Sequence, residues 1–246
     1  MGPVTVTFLG SGDAFGSGGR FQTCILVEAE SSRFLIDCGA SSLVAMKRRG
    51  IAPASIGLIL ISHLHGDHFG GLPFFILDAQ FSKRDAPLLI AGPPGIEVRT
   101  RQAMEVLFPK SSETKQKFSL EFFELPADRC TEIAALKITP VEVVHFCGAP
   151  PYALRVELTG RTIVYSGDTE WTDALVSASH GADLFICEAY YFEKKVRFHL
   201  DYHSLEARLS MLSCKRVVLT HMNDDMLARL NSLSIECAHD GKTLHL

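Results

Sequence analysis

The sequence predicts a layered α/β fold, with sheets inside and helices outside. Short apolar or β-branched runs recur along the chain, and stretches of helix-like spacing fall among them. The first three strand-like runs follow one another without an intervening helix, whereas the later part mixes strands with helices. A purely alternating parallel barrel fits this order less well.

In chain order, residues 4–9, 24–29 and 33–37 read as strands, and residues 41–49 as the first helix. A strand at 57–62 precedes a helix at 69–81, and a strand at 88–91 precedes a helix at 95–107. Residues 118–124, 136–144, 153–158 and 162–166 are strand-like, followed by a helix at 172–179 and a strand at 184–187. Residues 204–213 carry Leu205, Leu209 and Leu212 at helical spacing, with Ser204 as the expected cap, and a strand at 217–220 follows. With no low-complexity tract, charge block or long repeat, the expectation is a single domain over residues 1–246.

The chain has 246 residues, 47% hydrophobic and 21% charged, enough to bury a sizeable core. A formal charge of -4 gives no global basic field, which excludes a protein that coats nucleic acid by counterion release. The seven cysteines are scattered without any CxxC pair, and several, such as Cys38 and Cys187, sit inside apolar runs. They read as reduced, buried thiols in a cytoplasmic setting. No basic segment precedes a long apolar one at the start, and no apolar run reaches the roughly 18 residues that span a bilayer. Neither secretion nor membrane insertion is expected. Ten histidines are the outlying count.

The densest cluster of them is Ser62-His63-Leu64-His65-Gly66-Asp67-His68, directly after the apolar run Gly57–Ile61. In extended chain, residues i and i+2 point the same way, so His63 and His65 can grip one ion together. Asp67 and His68 enter the following turn and can face a second position. Imidazole nitrogen with carboxylate oxygen suits zinc, with manganese or iron as substitutes. The competing explanation is a polar helix cap that happens to be rich in histidine.

Further ligands should sit at other strand ends, where open α/β sheets place their sites. Four runs end this way: Val141–Val144 in His145, Thr162–Gly167 in Asp168, Leu184–Cys187 in Glu188, and Val217–Thr220 in His221. One ionisable residue at a strand end is usually a solvated turn residue. Several in one chain suggest a site.

HxHxDH at 63–68, His145, Gly167-Asp168-Thr169 and His221 together resemble the metallo-β-lactamase-fold hydrolases, and the resemblance spans nearly the whole chain. It implies a four-layer αββα sandwich with two divalent metals along one edge. His63, His65 and His145 would hold one metal and Asp67, His68 and His221 the other, with Asp168 bridging and Asp67 also serving catalysis. Asp37 would orient a ligand, the alternative being a buried turn carboxylate. Glu188 and His203 resemble the Glu and His of the ribonuclease Z-like phosphodiesterases. There, His203 would protonate the leaving oxygen, although it also reads as a cap residue. His180, His199, His239 and His245 fit no motif and read as surface or turn histidines.

Two departures from the RNA-processing members stand out. Only 23 positions separate His145 from Asp168, leaving no room for a long RNA-gripping arm, and Met222-Asn223-Asp224-Asp225 replaces the usual aromatic-Ser-x-Arg-Tyr. The expectation is therefore a phosphodiesterase for small anionic phosphodiesters or nucleotides, working by metal-hydroxide attack. RNA is disfavoured as a partner, and a homodimer is a further expectation of the resemblance. The rival readings are an RNA 3′-processing endonuclease, a thioester, lactam or ester hydrolase, and a non-catalytic metal-binding member of the fold. The Gly10–Gly16 stretch has its third glycine one position late for a dinucleotide fingerprint and leads into a strand, so it reads as a loop near the site. Arg20 in that loop is a candidate phosphate contact.

Overall fold

In the computed structural model, which describes residues 2–30 and 32–246, the first half of the chain builds one sheet and its helices. Strands β1 (Thr5–Gly10), β2 (Cys24–Ala29) and β3 (Ser32–Ile36) lead to α1 (Ser42–Arg48). Then come β4 (Leu58–Leu60), α2 (Gly66–Phe69), α3 (Leu72–Phe81), β5 (Leu88–Gly92), α4 (Ile96–Leu107) and β6 (Leu120–Glu124). The second half carries β7 (Thr131–Ile133), β8 (Leu136–Glu142), β9 (Tyr152–Leu158), β10 (Arg161–Tyr165), α5 (Ala174–Ser179) and β11 (Leu184–Glu188). It continues through α6 (Tyr202–Glu206), β12 (Val217–Thr220), α7 (Asp224–Leu227) and β13 (Glu236–Cys237), and β14 (Thr243–His245) crosses back to pair with β1. The two sheets run β14-β1-β2-β3-β4-β5-β6 and β13-β12-β11-β10-β9-β8-β7. Met1 and Ser31 lie outside the described residues.

Strand period two sorts the side chains into layers. Ile25, Val27, Phe34 and Ile36 of the first sheet meet Ile138, Leu154, Ile163 and Ile186 of the second in one buried inter-sheet core. The alternate residues Leu26 and Leu35 face outward onto Met46, Phe75 and Met104 of the helices. On the other side, Val164, Phe185 and Leu219 pack under Leu175, Leu205 and Met226. Three apolar cores between four layers of secondary structure, two of helices and two of strands, make the αββα sandwich of the metallo-β-lactamase fold.

The topology also fixes where side chains can converge. Strands β3, β4, β5 and β6 are parallel, and so are β10, β11 and β12, while β9 runs antiparallel to both β8 and β10. The carboxyl ends of β3 and β4 therefore share an edge within the first sheet, and those of β8, β10, β11 and β12 share one within the second. The Tyr152 amide donates to the Ser62 carbonyl at 3.0 Å, which ties the two edges together.

Some elements differ from expectation. The helix expected over 69–81 is α3, which starts later, at Leu72, because the chain turns at Gly70-Gly71 after the separate single turn α2. The helix expected over 204–213 is the short α6 followed by a single 3₁₀ turn, and its cap is Asp201, whose carboxylate accepts from the Ser204 amide at 2.8 Å. Strands β7, β13 and β14, two or three residues each, carried too little pattern to be read. Among the described residues, no helix is long and apolar enough to cross a membrane.

Leu154 is fully buried in the inter-sheet core. Leu154→Ala is expected to cost roughly 2–5 kcal/mol, read from the urea unfolding midpoint; a midpoint within error of the parent would contradict this packing.

Candidate metal centre

The candidate ligand residues come from the ends of strands in both sheets. After β4, Ser62 and His63 continue extended, and α2 begins at Gly66, which places Asp67 and His68 in its only turn. His145 follows β8, Asp168 follows β10, and His221 follows β12. His63, His65 and His145 offer nitrogen atoms within 4.8 Å of one another, and Asp67, His68, Asp168 and His221 form a second such group. Asp168 faces both: its carboxylate lies 3.8 Å from His63 Nε2 and 3.4 Å from the Nε2 atoms of His68 and His221.

Three of the imidazoles, those of His68, His63 and His145, are aimed by a bond on the far side. His68 Nδ1 donates to Asp37 at 2.6 Å, leaving Nε2 toward the cluster. Ser62 Oγ donates to the same carboxylate at 2.8 Å, so its lone pair accepts from His63 Nδ1 at 3.1 Å. His145 Nδ1 donates to the Phe198 carbonyl at 2.8 Å. Carboxylate or carbonyl behind imidazole is how metal ligands are oriented. Asp37 and His221 both hold left-handed backbones, with φ of 58° and 56°, a conformation that costs a residue other than glycine and persists where the surroundings hold it. Gly39 is required for a different reason: a Cβ there would sit 2.2 Å from the Asp67 carbonyl oxygen.

The donor set fits divalent metals. His63 Nε2 is buried with no hydrogen-bond partner among the described residues, a costly state for a polar atom that a cation relieves. His65 Nδ1 and His145 Nε2 approach to 3.0 Å, and His68 Nε2 and His221 Nε2 to 3.3 Å, so ring nitrogens converge as ligands do. Burial holds His63 well below the usual imidazole range and takes His145 to about 4, which keeps both neutral and able to ligate. Burial also opposes charge on His221, but Asp168 and the hydrogen bond that His221 donates to Asp67 outweigh it and lift His221 to about 9. In the same way burial is overcome at Asp168 by His221 and His68, which hold its carboxyl well below the ordinary range.

Glu188, at the end of β11, is fully buried; burial, reinforced by Asp168, raises its pKa. One oxygen accepts from the Thr169 amide and the other meets His199 Nδ1 at 3.1 Å. His199 also lies 3.9 Å from Asp168. Here the structure corrects the sequence reading. The histidine beside Glu188 is His199, not His203. His203 stands in α6 beyond the Asp201 cap, exposed, with its ring 4.6 Å from Phe192. Asp201 was the missed signal: as the cap it begins the helix after His199, leaving that histidine in the loop that borders the strand ends. His180, His239 and His245 are exposed. Arg20 is committed to the chain that follows β13, donating to the Ala238 carbonyl at 2.9 Å.

The sequence profile of the family described as anti-Pycsar protein Apyc1 matches residues 4–237. A ribonuclease Z of Methanosarcina acetivorans is 27% identical over 272 aligned positions, covering 89% of this chain and 88% of that one. Among solved structures, the short form of human tRNase Z superposes with a TM-score of 0.80 at 25% identity, covering 98% of both chains. The metallo-β-lactamase-fold protein YhfI of Bacillus subtilis gives 0.79 at 22% identity over the full length of both.

Two outcomes follow. Asp37→Ala is expected to weaken metal binding by about 10–100-fold in a chelator competition titration; parent affinity would show that Asp37 merely fills a turn. In metal-free protein, His221 is raised from 6.5 to about 9, so its contribution to stability is complete below pH 6.5 and is lost as pH rises through 9. Denaturation of chelator-treated protein should therefore show stability falling across that window, and a flat or rising profile would contradict the ion-pair cluster.

Proposed function

The chain belongs to the anti-Pycsar protein Apyc1 family and is a metal-dependent hydrolase of the ribonuclease Z-like branch of the metallo-β-lactamase fold; from that premise we propose that it is a dinuclear phosphodiesterase for small phosphodiesters or nucleotides. The observation that carries this reading is the Glu188–His199 pair, hydrogen-bonded at 3.1 Å beside Asp168. Phosphodiester cleavage expels an alkoxide, a poor leaving group that needs a proton. Burial opposes a charged His199, but Glu188 outweighs it and raises the imidazole above its usual range. His199 is thus held as a proton donor, in one orientation, at the edge of the ligand cluster.

His63, His65 and His145 would hold one ion and Asp67, His68 and His221 the second, with Asp168 shared. Zinc is the first choice for this donor set, ahead of manganese or iron. When bound, such ions supply an activated water and neutralise charge on the phosphoryl oxygens. The chain's own part is to fix the ligands through Asp37 and Ser62 and to hold the proton at His199.

The small-substrate reading is supported by the span between His145 and Asp168, which is used up by a short loop and the tight β9–β10 hairpin. The acidic residues after His221 serve local structure: Asp224 accepts from the Gly18 amide at 3.0 Å and Asp225 from the Phe192 amide at 3.1 Å. An RNA 3′-processing role is the second reading, favoured by relatives named ribonuclease Z. The homodimer that the resemblance implies belongs to this proposal.

Zn²⁺- or Mn²⁺-loaded protein should hydrolyse bis-p-nitrophenyl phosphate and cyclic nucleotides in preference to thioesters, lactams and a precursor tRNA. His65→Ala should lose metal and turnover together, while His199→Ala keeps its metal content. Absence of phosphodiester turnover with every metal tried, or faster cleavage of thioesters, would overturn the proposal.

A further inference from the structure

Beside His145 the chain sets two phenylalanine rings at the surface. Phe146 is 73% exposed, and its ring lies 6.3 Å from that of Phe198 at an interplanar angle of 32°. Phe198 in turn lies 6.3 Å from the His145 imidazole. Its backbone is left-handed, with φ of 71°, a conformation that costs a bulky residue energy and persists only when its surroundings impose it. Here both neighbouring polar groups impose it. The Phe198 amide donates to Glu170 Oε2 at 3.1 Å, and the Phe198 carbonyl accepts from His145 Nδ1 at 2.8 Å. The ring is therefore placed by the same bond that aims a metal-ligating imidazole. The Arg197 guanidinium sits 4.7 Å from the ring centroid, adding positive charge next to it.

We propose that Phe146 and Phe198 form a stacking platform for the base of a nucleotide whose phosphate is bound at the ligand cluster. The inference rests on the phosphodiesterase reading and names the substrate side of that site. A nucleotide places its base one sugar away from its phosphate, and Phe198 stands one ring away from His145. Every base offers a π-face, so such a platform separates nucleotides from base-free sugar phosphates without choosing among bases. Phe198 is half-buried and fixed to the site, whereas solvent covers most of Phe146, which leaves that ring free to meet a ligand.

The test uses Zn²⁺-loaded protein and 2-aminopurine riboside 5′-monophosphate, a monoester whose fluorescence is quenched on stacking, with ribose 5-phosphate as the base-free competitor. The parent protein should quench the probe and prefer it over ribose 5-phosphate by about fivefold to about a hundredfold. Phe146→Ala, at an exposed position, and Phe198→Gly, which suits the left-handed backbone, should each reduce that preference, and the double variant should bring it near one. No preference in the parent, or a preference retained in the double variant, overturns the platform. Bis-p-nitrophenyl phosphate turnover is followed alongside. Its loss in the parent strikes the phosphodiesterase reading, whereas its presence without base preference strikes the platform alone.

Discussion

The Asp37 carboxylate is the contact on which the site depends. It is fully buried at the end of β3, and it accepts from the Ser62 amide, the Ser62 hydroxyl and His68 Nδ1. Through these bonds one residue aims a ligand of each group, His68 directly and His63 by way of Ser62. A buried carboxylate is tolerable only with its oxygens satisfied, and here the groups that satisfy it are the ones that must be held still. The left-handed turn at Asp37 and the missing side chain at Gly39 are the local cost of bringing β3 and the Asp67 turn this close.

Charge explains why this arrangement suits an anionic substrate despite a formal net charge of -4. That value describes the chain without metals. Asp67 and Asp168 stand beside His68 and His221, which in the metal-free chain keep protons against burial because of those carboxylates. Divalent ions held there would displace those protons and reverse the local field, so attraction of the proposed phosphodiester would need no basic surface.

Much of the site was legible because it is local or because it ends strands. HxHxDH places four donors within six positions, and His145, Asp168, Glu188 and His221 each follow an apolar run, which is where a parallel sheet delivers side chains to one edge. His199 was not legible. It lies in an irregular segment between β11 and α6, with no periodicity, and its tie to Glu188 exists only in space. His203, four residues on, offered the same residue type in a helix-like setting and drew the assignment. The missed strands β13 and β14 have the same cause: two or three residues carry no alternation, and their pairing is set by neighbours far away in sequence.

The central proposal is a proton held at His199 for a leaving alkoxide. The direct measurement is the rate of hydrolysis of a series of methyl phosphodiesters whose leaving groups range from p-nitrophenolate to simple alkoxides, in parent and His199→Ala proteins of equal metal content. The account predicts that the loss in the variant grows as the leaving group becomes more basic, reaching about a hundredfold or more for alkoxides. An equal loss across the series, or none, would contradict it.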